Sequence, residues 1–258
     1  MRVFTLPCFT DNFVYLAGLA GKKEVVVIDP GHAGVVIEAV KQHGLELCGI
    51  LTTHHHADHV GGNKQLLNAF GPLPVYGHSS EIKRIPTITE LVNEGDRVQV
   101  AGLTFEVLFV PGHTRSHLAY YAQEHGTLFI GDTLFAGGCG RLFEGTPQMM
   151  HRSLNERLAA LPDETKVFFA HEYTEANLRF ALTVDRENPD LIQRVKNVRE
   201  HRLRGNWTTP TTLGLERATN PFLRVSTPGV AGPITATAGR SLTDVEVFAA
   251  VRKAKDNF

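Results

Sequence analysis

Residues 53–59 read THHHADH, four histidines within six positions, one residue beyond the apolar pair Ile50-Leu51. A histidine-rich surface run needs no strand in front of it. This one sits where a buried strand would end, which predicts a turn that aims several imidazoles at one place. Alternate residues of such a turn can point the same way, so His54 and His56 could grip one ion. Asp58 and His59, at the start of the next helix, could turn toward a second. Neutral imidazole and carboxylate are the usual ligands of zinc, iron and manganese. His55, between two candidate ligands, is expected to point away.

Three further residues repeat this placement. His113 follows the run 103–110 (LTFEVLFV) and Pro111-Gly112, Asp132 follows 127–130 (TLFI) and Gly131, and His171 follows 167–170 (VFFA). Such runs read as buried strands. Ligands and catalytic groups of α/β folds gather where strand ends meet along one edge. Seven donors at four strand ends suffice for two divalent ions if one carboxylate bridges them. Two aspartates and one hydroxide would leave that pair net positive, which suits an anionic transition state. Water on such an ion can have a pKa of about 7, so the spacing predicts a hydrolase site. Asp29, at the end of 25–28 (VVVI), is read as a residue that orients a ligand histidine. His32, His43, His78, His117, His125, His151 and His201 are read as solvated loop residues.

Other features narrow the class. The 258 residues suit one large domain with or without an appendage, and 42% apolar with 21% charged residues is ordinary for a globular chain. A net charge of -1 gives no reason to expect a nucleic-acid or membrane partner. The basic stretch 194–204 (RVKNVREHRLR) reads as a solvated helix face. No apolar run approaches the roughly 20 residues that span a bilayer, and the first residues, with no apolar run after a basic start, do not read as a signal peptide. Cys8, Cys48 and Cys139 form no CxxC pair and read as reduced thiols. A cytoplasmic monomer is the expectation.

Along the chain, 97–100 and 103–110 flank Ala101-Gly102 as a hairpin. A helix is expected after Thr146 and before Pro162. The pattern changes near residue 171. Helices are expected at 175–184 and 189–204, then a loop from about 205 to 240, then a helix opened by the capping box of Thr243 and Glu246. This places a strand-rich α/β domain at 1–171 and a helical domain at 172–258.

THHHADH, PGHT, GDTLF and AHEYT together resemble the signature elements of the metallo-β-lactamase fold superfamily. FTDNFVYL near the start, GGCGRLFEGT at 137–146, NPFLR at 220–224 and the closing VRKAKDNF make the whole chain similar to the hydroxyacylglutathione hydrolase, or glyoxalase II, family within it. The resemblance implies an α/β fold, a four-layer αβ/βα sandwich, with a C-terminal helical domain that contributes to the substrate pocket. It implies two divalent metal ions, zinc foremost with iron or manganese as alternatives. His54, His56 and His113 would hold the first and Asp58, His59 and His171 the second, with Asp132 bridging. The implied substrate is S-lactoylglutathione, a small molecule, cleaved to glutathione and D-lactate by a hydroxide shared between the metals. Asp58 would take a proton in a secondary role. Arg141, Phe143, Tyr173, Arg252 and Lys255 match the family's glutathione contacts; Phe143 stands where some members have tyrosine, which removes one hydroxyl. A second reading, a glutathione persulfide dioxygenase with one iron, shares the fold, but such relatives are expected to lack the long helical C-terminal domain.

Overall fold

The computed structural model describes residues 1–258. Residues 25–28 are buried in strand β3 (Glu24–Ile28), as an unalternating apolar run must be when both faces of its sheet are covered. β3 lies inside a six-stranded sheet with the order β1 (Arg2–Cys8), β2 (Asn12–Gly18), β3, β4 (Glu46–Leu51), β5 (Val75–His78), β6 (Glu90–Val92). β1 to β3 are antiparallel neighbours; β3 to β6 run parallel. Parallel neighbours need crossovers. Helix α1 (Ala33–His43) supplies the one from β3 to β4. α2 (Ala57–Val60) and α3 (Asn63–Phe70), separated by Gly61-Gly62, supply the next. Val36, Val40 and Leu66 on these helices pack with Val14, Val25 and Ile50 of the sheet.

A second set of strands follows: β7 (Arg97–Val100), β8 (Leu103–Phe109), β9 (Leu118–Ala122) and β10 (Thr127–Gly131), antiparallel in chain order. β7 and β8 pair Val100 with Leu103 across Ala101 (φ 51°) and Gly102 (φ 72°). Two left-handed residues in a two-residue connection make the turn whose twist matches that of the strands. Tyr15 of β2 and Phe129 of β10 lie 5.7 Å apart between ring centroids, and the Tyr120 hydroxyl donates to the Thr52 carbonyl at 2.8 Å. All these elements belong to one compact unit, Met1–Phe109 with Ser116–Gly131.

The other unit is Val110–Arg115 with Asp132–Phe258. It holds a two-stranded ribbon, β11 (Leu134–Phe135) with β12 (Gly138–Cys139), and an antiparallel pair, β13 (Lys166–Phe169) with β14 (Thr211–Thr212). Its helices are α4 (Pro147–Arg152), α5 (Thr174–Val184), α6 (Pro189–Leu203), α7 (Leu213–Thr219), α8 (Pro228–Ala238) and α9 (Asp244–Asp256). The Thr146 hydroxyl accepts from Met149 N at 3.2 Å and starts α4. The Thr243–Glu246 capping box starts α9.

The stretch from 205 to 240, expected to be a loop, instead holds two helices, α7 and α8. Its Thr, Gly and Pro content does not break the helices there because some of those residues start them. The Thr212 hydroxyl accepts from Leu215 N and opens α7, and Pro228 occupies the first turn of α8, where its missing N–H costs nothing. No helix is long and apolar enough to cross a membrane.

The β7–β8 turn gives a stability prediction. A left-handed Ala costs about 1–2 kcal/mol relative to a residue that tolerates the region, and Asn-Gly is the preferred pair for this turn. Ala101→Asn is therefore expected to stabilise the protein by roughly 0.5–1 kcal/mol with no change in activity, read as a higher denaturation midpoint in urea. A lower or unchanged midpoint would show that the turn carries no such strain.

Candidate metal centre and its cavity

β3 and β4 both deliver polar residues at their ends. The chain turns sharply after β3, with Asp29 at φ 50°. Its buried carboxylate accepts from Thr53 N and the Thr53 hydroxyl, each at 2.7 Å, and faces His59 Nδ1 at 3.0 Å. The Thr53 hydroxyl gives its only proton to Asp29, so toward His54 Nδ1, 3.0 Å away, it can only accept. The proton of His54 is thereby placed on Nδ1. The same logic places the His59 proton on Nδ1, opposite Asp29. Both rings then present Nε2 lone pairs. His54 Nε2 faces His56 Nδ1 at 3.0 Å, His59 Nε2 faces Asp58 Oδ2 at 3.4 Å, and the His54 and His59 ring centroids are 4.1 Å apart. Asn12 donates to Asp58 Oδ2 at 2.9 Å. All four candidate ligands of residues 53–59 are thus gathered within one unit. The His55 ring nitrogens turn to Glu81 (3.4 Å) and Arg84 (3.2 Å), outside the group.

The other unit gathers the remaining three. Asp132 faces His113 Nε2 through Oδ2 and His171 Nε2 through Oδ1, both at 3.3 Å. His113 Nδ1 lies 2.8 Å from the Arg141 carbonyl, which fixes its proton there and leaves a lone pair on Nε2. Tyr173 stacks on His171 at 5.0 Å with the rings 6° from parallel, and Phe143 meets His113 edge to face at 5.2 Å.

His113 and Asp132 open into a cavity of about 490 Å³ that Arg141, Phe143, Tyr173, Arg252 and Lys255 also line. Phe143 is 64% exposed and Tyr173 38%. Lys255 Nζ reaches the Ala176 carbonyl at 3.4 Å and lies over the rings of Phe180 and Phe258. Burial, then repulsion from Arg252, Arg179 and Arg141, holds its ammonium below the ordinary lysine range. Arg252 is not on a solvated face. It is 4% exposed, bonds the Cys139 carbonyl at 2.9 Å and pairs with Asp256 at 2.8 Å. Burial pushes the neighbouring Cys139 thiol up to about 11, so it is an inert thiol.

Two residues near the ligands escaped the sequence. His117 was read as solvated, yet it is fully buried and stacks on His54 at 4.7 Å; it precedes β9, whose residues are all buried. Asn12 carried no signal of its own, because its partner is 46 residues away.

The donor chemistry suits a divalent ion of the zinc, iron or manganese kind: imidazole nitrogens with protons fixed on the far side, beside carboxylates that can each offer two oxygens. Comparison with known proteins agrees. Residues 9–171 match the family model of the metallo-β-lactamase superfamily, and residues 172–258 that of the hydroxyacylglutathione hydrolase C-terminus. A hydroxyacylglutathione hydrolase of Synechococcus sp. (strain JA-2-3B'a(2-13)) is 51% identical over 259 residues, covering all of both chains. Among solved structures, TTHA1623 in a di-iron-bound form is 30% identical with a TM-score of 0.62, covering 86% of this chain and all of that one. ETHE1 from Myxococcus xanthus is 25% identical with a TM-score of 0.68, covering 98% of this chain and 97% of that one. The model for residues 172–258 and the full-length identity, beyond the likeness of fold, carry the family assignment. The chain has the metallo-β-lactamase fold with a helical C-terminal region, binds divalent metal, and belongs to the hydroxyacylglutathione hydrolase family.

Proposed function

We propose that this chain hydrolyses S-2-hydroxyacylglutathione thioesters, S-lactoylglutathione foremost, to glutathione and a 2-hydroxy acid. One observation carries the reading: Asp132 and His113 line the same cavity as the cations Arg141, Arg252 and Lys255 and the aromatics Phe143 and Tyr173. Such a cavity suits a substrate with a reacting carbonyl at one end and carboxylates at the other.

In this proposal His54, His56 and His113 would hold one ion and Asp58, His59 and His171 the other, with Asp132 as a ligand available to both and zinc as the expected metal. Bound divalent ions would supply Lewis acidity toward the thioester carbonyl and lower the pKa of bound water to about 7. The chain's own residues do the rest. Asp29 and Thr53 lock the His54 and His59 tautomers. Asn12 fixes the orientation of Asp58, which takes a proton. Arg141 and Lys255 bind the glycyl carboxylate, and Tyr173 and Phe143 wall the tripeptide. Arg252 adds positive charge while holding the cavity wall. Glutathione leaves as thiolate, and a thiol pKa of about 8.5 makes a strong general acid unnecessary. Residues 172–258 act as the substrate-binding domain. We place the enzyme in the cytoplasm as a monomer, in keeping with three free cysteines.

Release of free thiol from S-lactoylglutathione, with metal content measured on the same sample, tests the reading. Turnover with about two ions per chain is expected. No thiol release from fully loaded protein would end it.

The cation pair has its own signature. A hydrogen bond to a charged group is worth about 1.5–3 kcal/mol, and half-burial favours the lower figure. Lys255→Ala should raise KM for S-lactoylglutathione roughly tenfold with little change in kcat, the pattern of lost uniform binding. Hydrolysis of a small thioester without the tripeptide should not change. Equal losses on both substrates would remove Lys255 from the binding role.

Asp29 sets the third expectation. Losing a partner that orients a ligand histidine typically lowers metal affinity about 10–100-fold, so Asp29→Ala should give up zinc to a chelator far more readily than wild type. Unchanged retention in a folded variant would show that Asp29 serves the backbone alone.

A further inference from the structure

The loop between Asp132 and Arg141 is held from outside. The two Asn220 Nδ2 hydrogens are shared among the Gly138 carbonyl at 3.0 Å, the Phe135 carbonyl at 3.3 Å and Glu216 Oε2 at 2.9 Å. Asn177 Nδ2 donates to the Ala136 carbonyl at 3.2 Å. Gly137 N donates to Glu216 Oε2 at 2.8 Å, and Arg252 holds the Cys139 carbonyl. So each residue from 135 to 139 has a backbone polar group met by a side chain of the segment 172–258. The β11–β12 ribbon pairs only two residues with two, too little to define a loop by itself.

The holding residues are themselves fixed. Glu216 and Asn220 are fully buried. Arg194, 5% exposed, pairs with Glu216, which also accepts from the Thr211 hydroxyl at 2.7 Å and Asn220 Nδ2 at 2.9 Å. A buried charge met this fully is rigid, whereas one that loses a partner is costly.

The loop leads directly to the candidate ligands. A Cβ on Gly140 would fall 2.0 Å from the Asp132 carbonyl and 3.0 Å from His113 Nδ1. This close approach brings the Arg141 carbonyl against His113 Nδ1. The contact orients the His113 ring and sets which nitrogen faces Asp132.

We propose that Asn220, Glu216 and Asn177 are positioning residues for His113 and Asp132, so that the helical segment sets metal affinity as well as walling the cavity. This rests on the reading of His113 and Asp132 as metal ligands, though not on the identity of the substrate. It also gives a physical reason for the NPFLR and GGCGR stretches, because the first holds the second.

The test compares zinc retention against a chromophoric chelator in wild type, Asn220→Ala, Asn177→Ala and Asn188→Ala. Asn188 is a matched control. It is 7% exposed and bonds Asp185 and the Ala218 carbonyl in the same helical segment, but does not touch the loop. Asn220→Ala is expected to lose roughly 10–100-fold in zinc affinity, with a smaller loss for Asn177→Ala, which gives up one bond to the loop. Their kcat should fall with a smaller change in KM. Asn188→Ala should melt earlier and bind zinc as wild type does. If Asn220→Ala and Asn177→Ala only melt earlier, with zinc affinity unchanged, the proposal is overturned. If Asn220→Ala does not fold, Asn177→Ala decides alone. Failure of wild type to cleave S-lactoylglutathione would sink the substrate assignment, while the zinc comparison would still decide this one.

Discussion

One carboxylate organises the histidine-rich turn. Asp29 receives Thr53 twice and faces His59, all within 3.0 Å, from a backbone position with φ 50°. Left-handed backbone is unfavourable for most residues, and Asp is among those that tolerate it. The strain is offset by three hydrogen bonds, two of them to groups that would otherwise be buried donors without partners. Through Thr53 the effect reaches His54, because a hydroxyl with its proton committed to Asp29 can only accept. One residue thereby sets the tautomers of two imidazoles, one by direct contact and one through a relay. The five-residue strand β3 serves, in this sense, to place a side chain just beyond its end.

The second unit solves the same problem differently. His113, Asp132 and His171 also follow strands, but the loop after Asp132 has almost no regular structure of its own. Side chains from α5, α7 and α9, with Asn220, take its backbone groups instead. Leaving such groups buried and unmade would cost about 1–3 kcal/mol each, so the loop's conformation follows from where the helices put their amides and charges. In the first unit a residue at a strand end, Asp29, does the positioning, reaching Thr53 and His59; in the second, side chains with no such marked position in the sequence do it.

That difference explains what was legible in advance. The strands at 25–28, 50–51, 128–130 and 167–170 are continuous apolar runs, and 103–110 alternates with Thr104 and Glu106 on its less buried face, so their buried character is written in their composition. Ligand candidates after them could be read by position. The hairpin at Ala101-Gly102 and the caps at Thr146 and Thr243 are local and were equally legible. Helices α7 and α8 were not, because the same Thr and Pro residues that break a helix also start one, and only the residues that follow decide. Asn12, His117, Glu216 and Asn177 were illegible for a stronger reason. Their partners lie tens of residues away, and a single Asn or Glu has no periodicity to betray it. Arg252 shows the limit from the other side. Family likeness pointed to it, yet only the structure shows that it is buried and that two of its partners are a carbonyl of the cavity loop and Asp256.

The electrostatics of the cavity follow from the same placement. The chain as a whole carries a net charge of -1, so it does not attract anions by bulk charge. Locally, Arg141, Arg179, Arg252 and Lys255 act on one another, and Lys255 shows the strain as an ammonium that loses its proton more easily than an exposed lysine would. Arg252 has Asp256 beside it, which makes it the better compensated of the two. A carboxylate bound beside Lys255 would offset that shift by supplying a countercharge where three guanidinium groups repel. The free cavity thus carries an unfavourable concentration of positive charge that an anionic ligand relieves. Binding energy of this kind depends on the tripeptide end of a substrate and not on its acyl group, so specificity for the carrier can be strict while the acyl group varies.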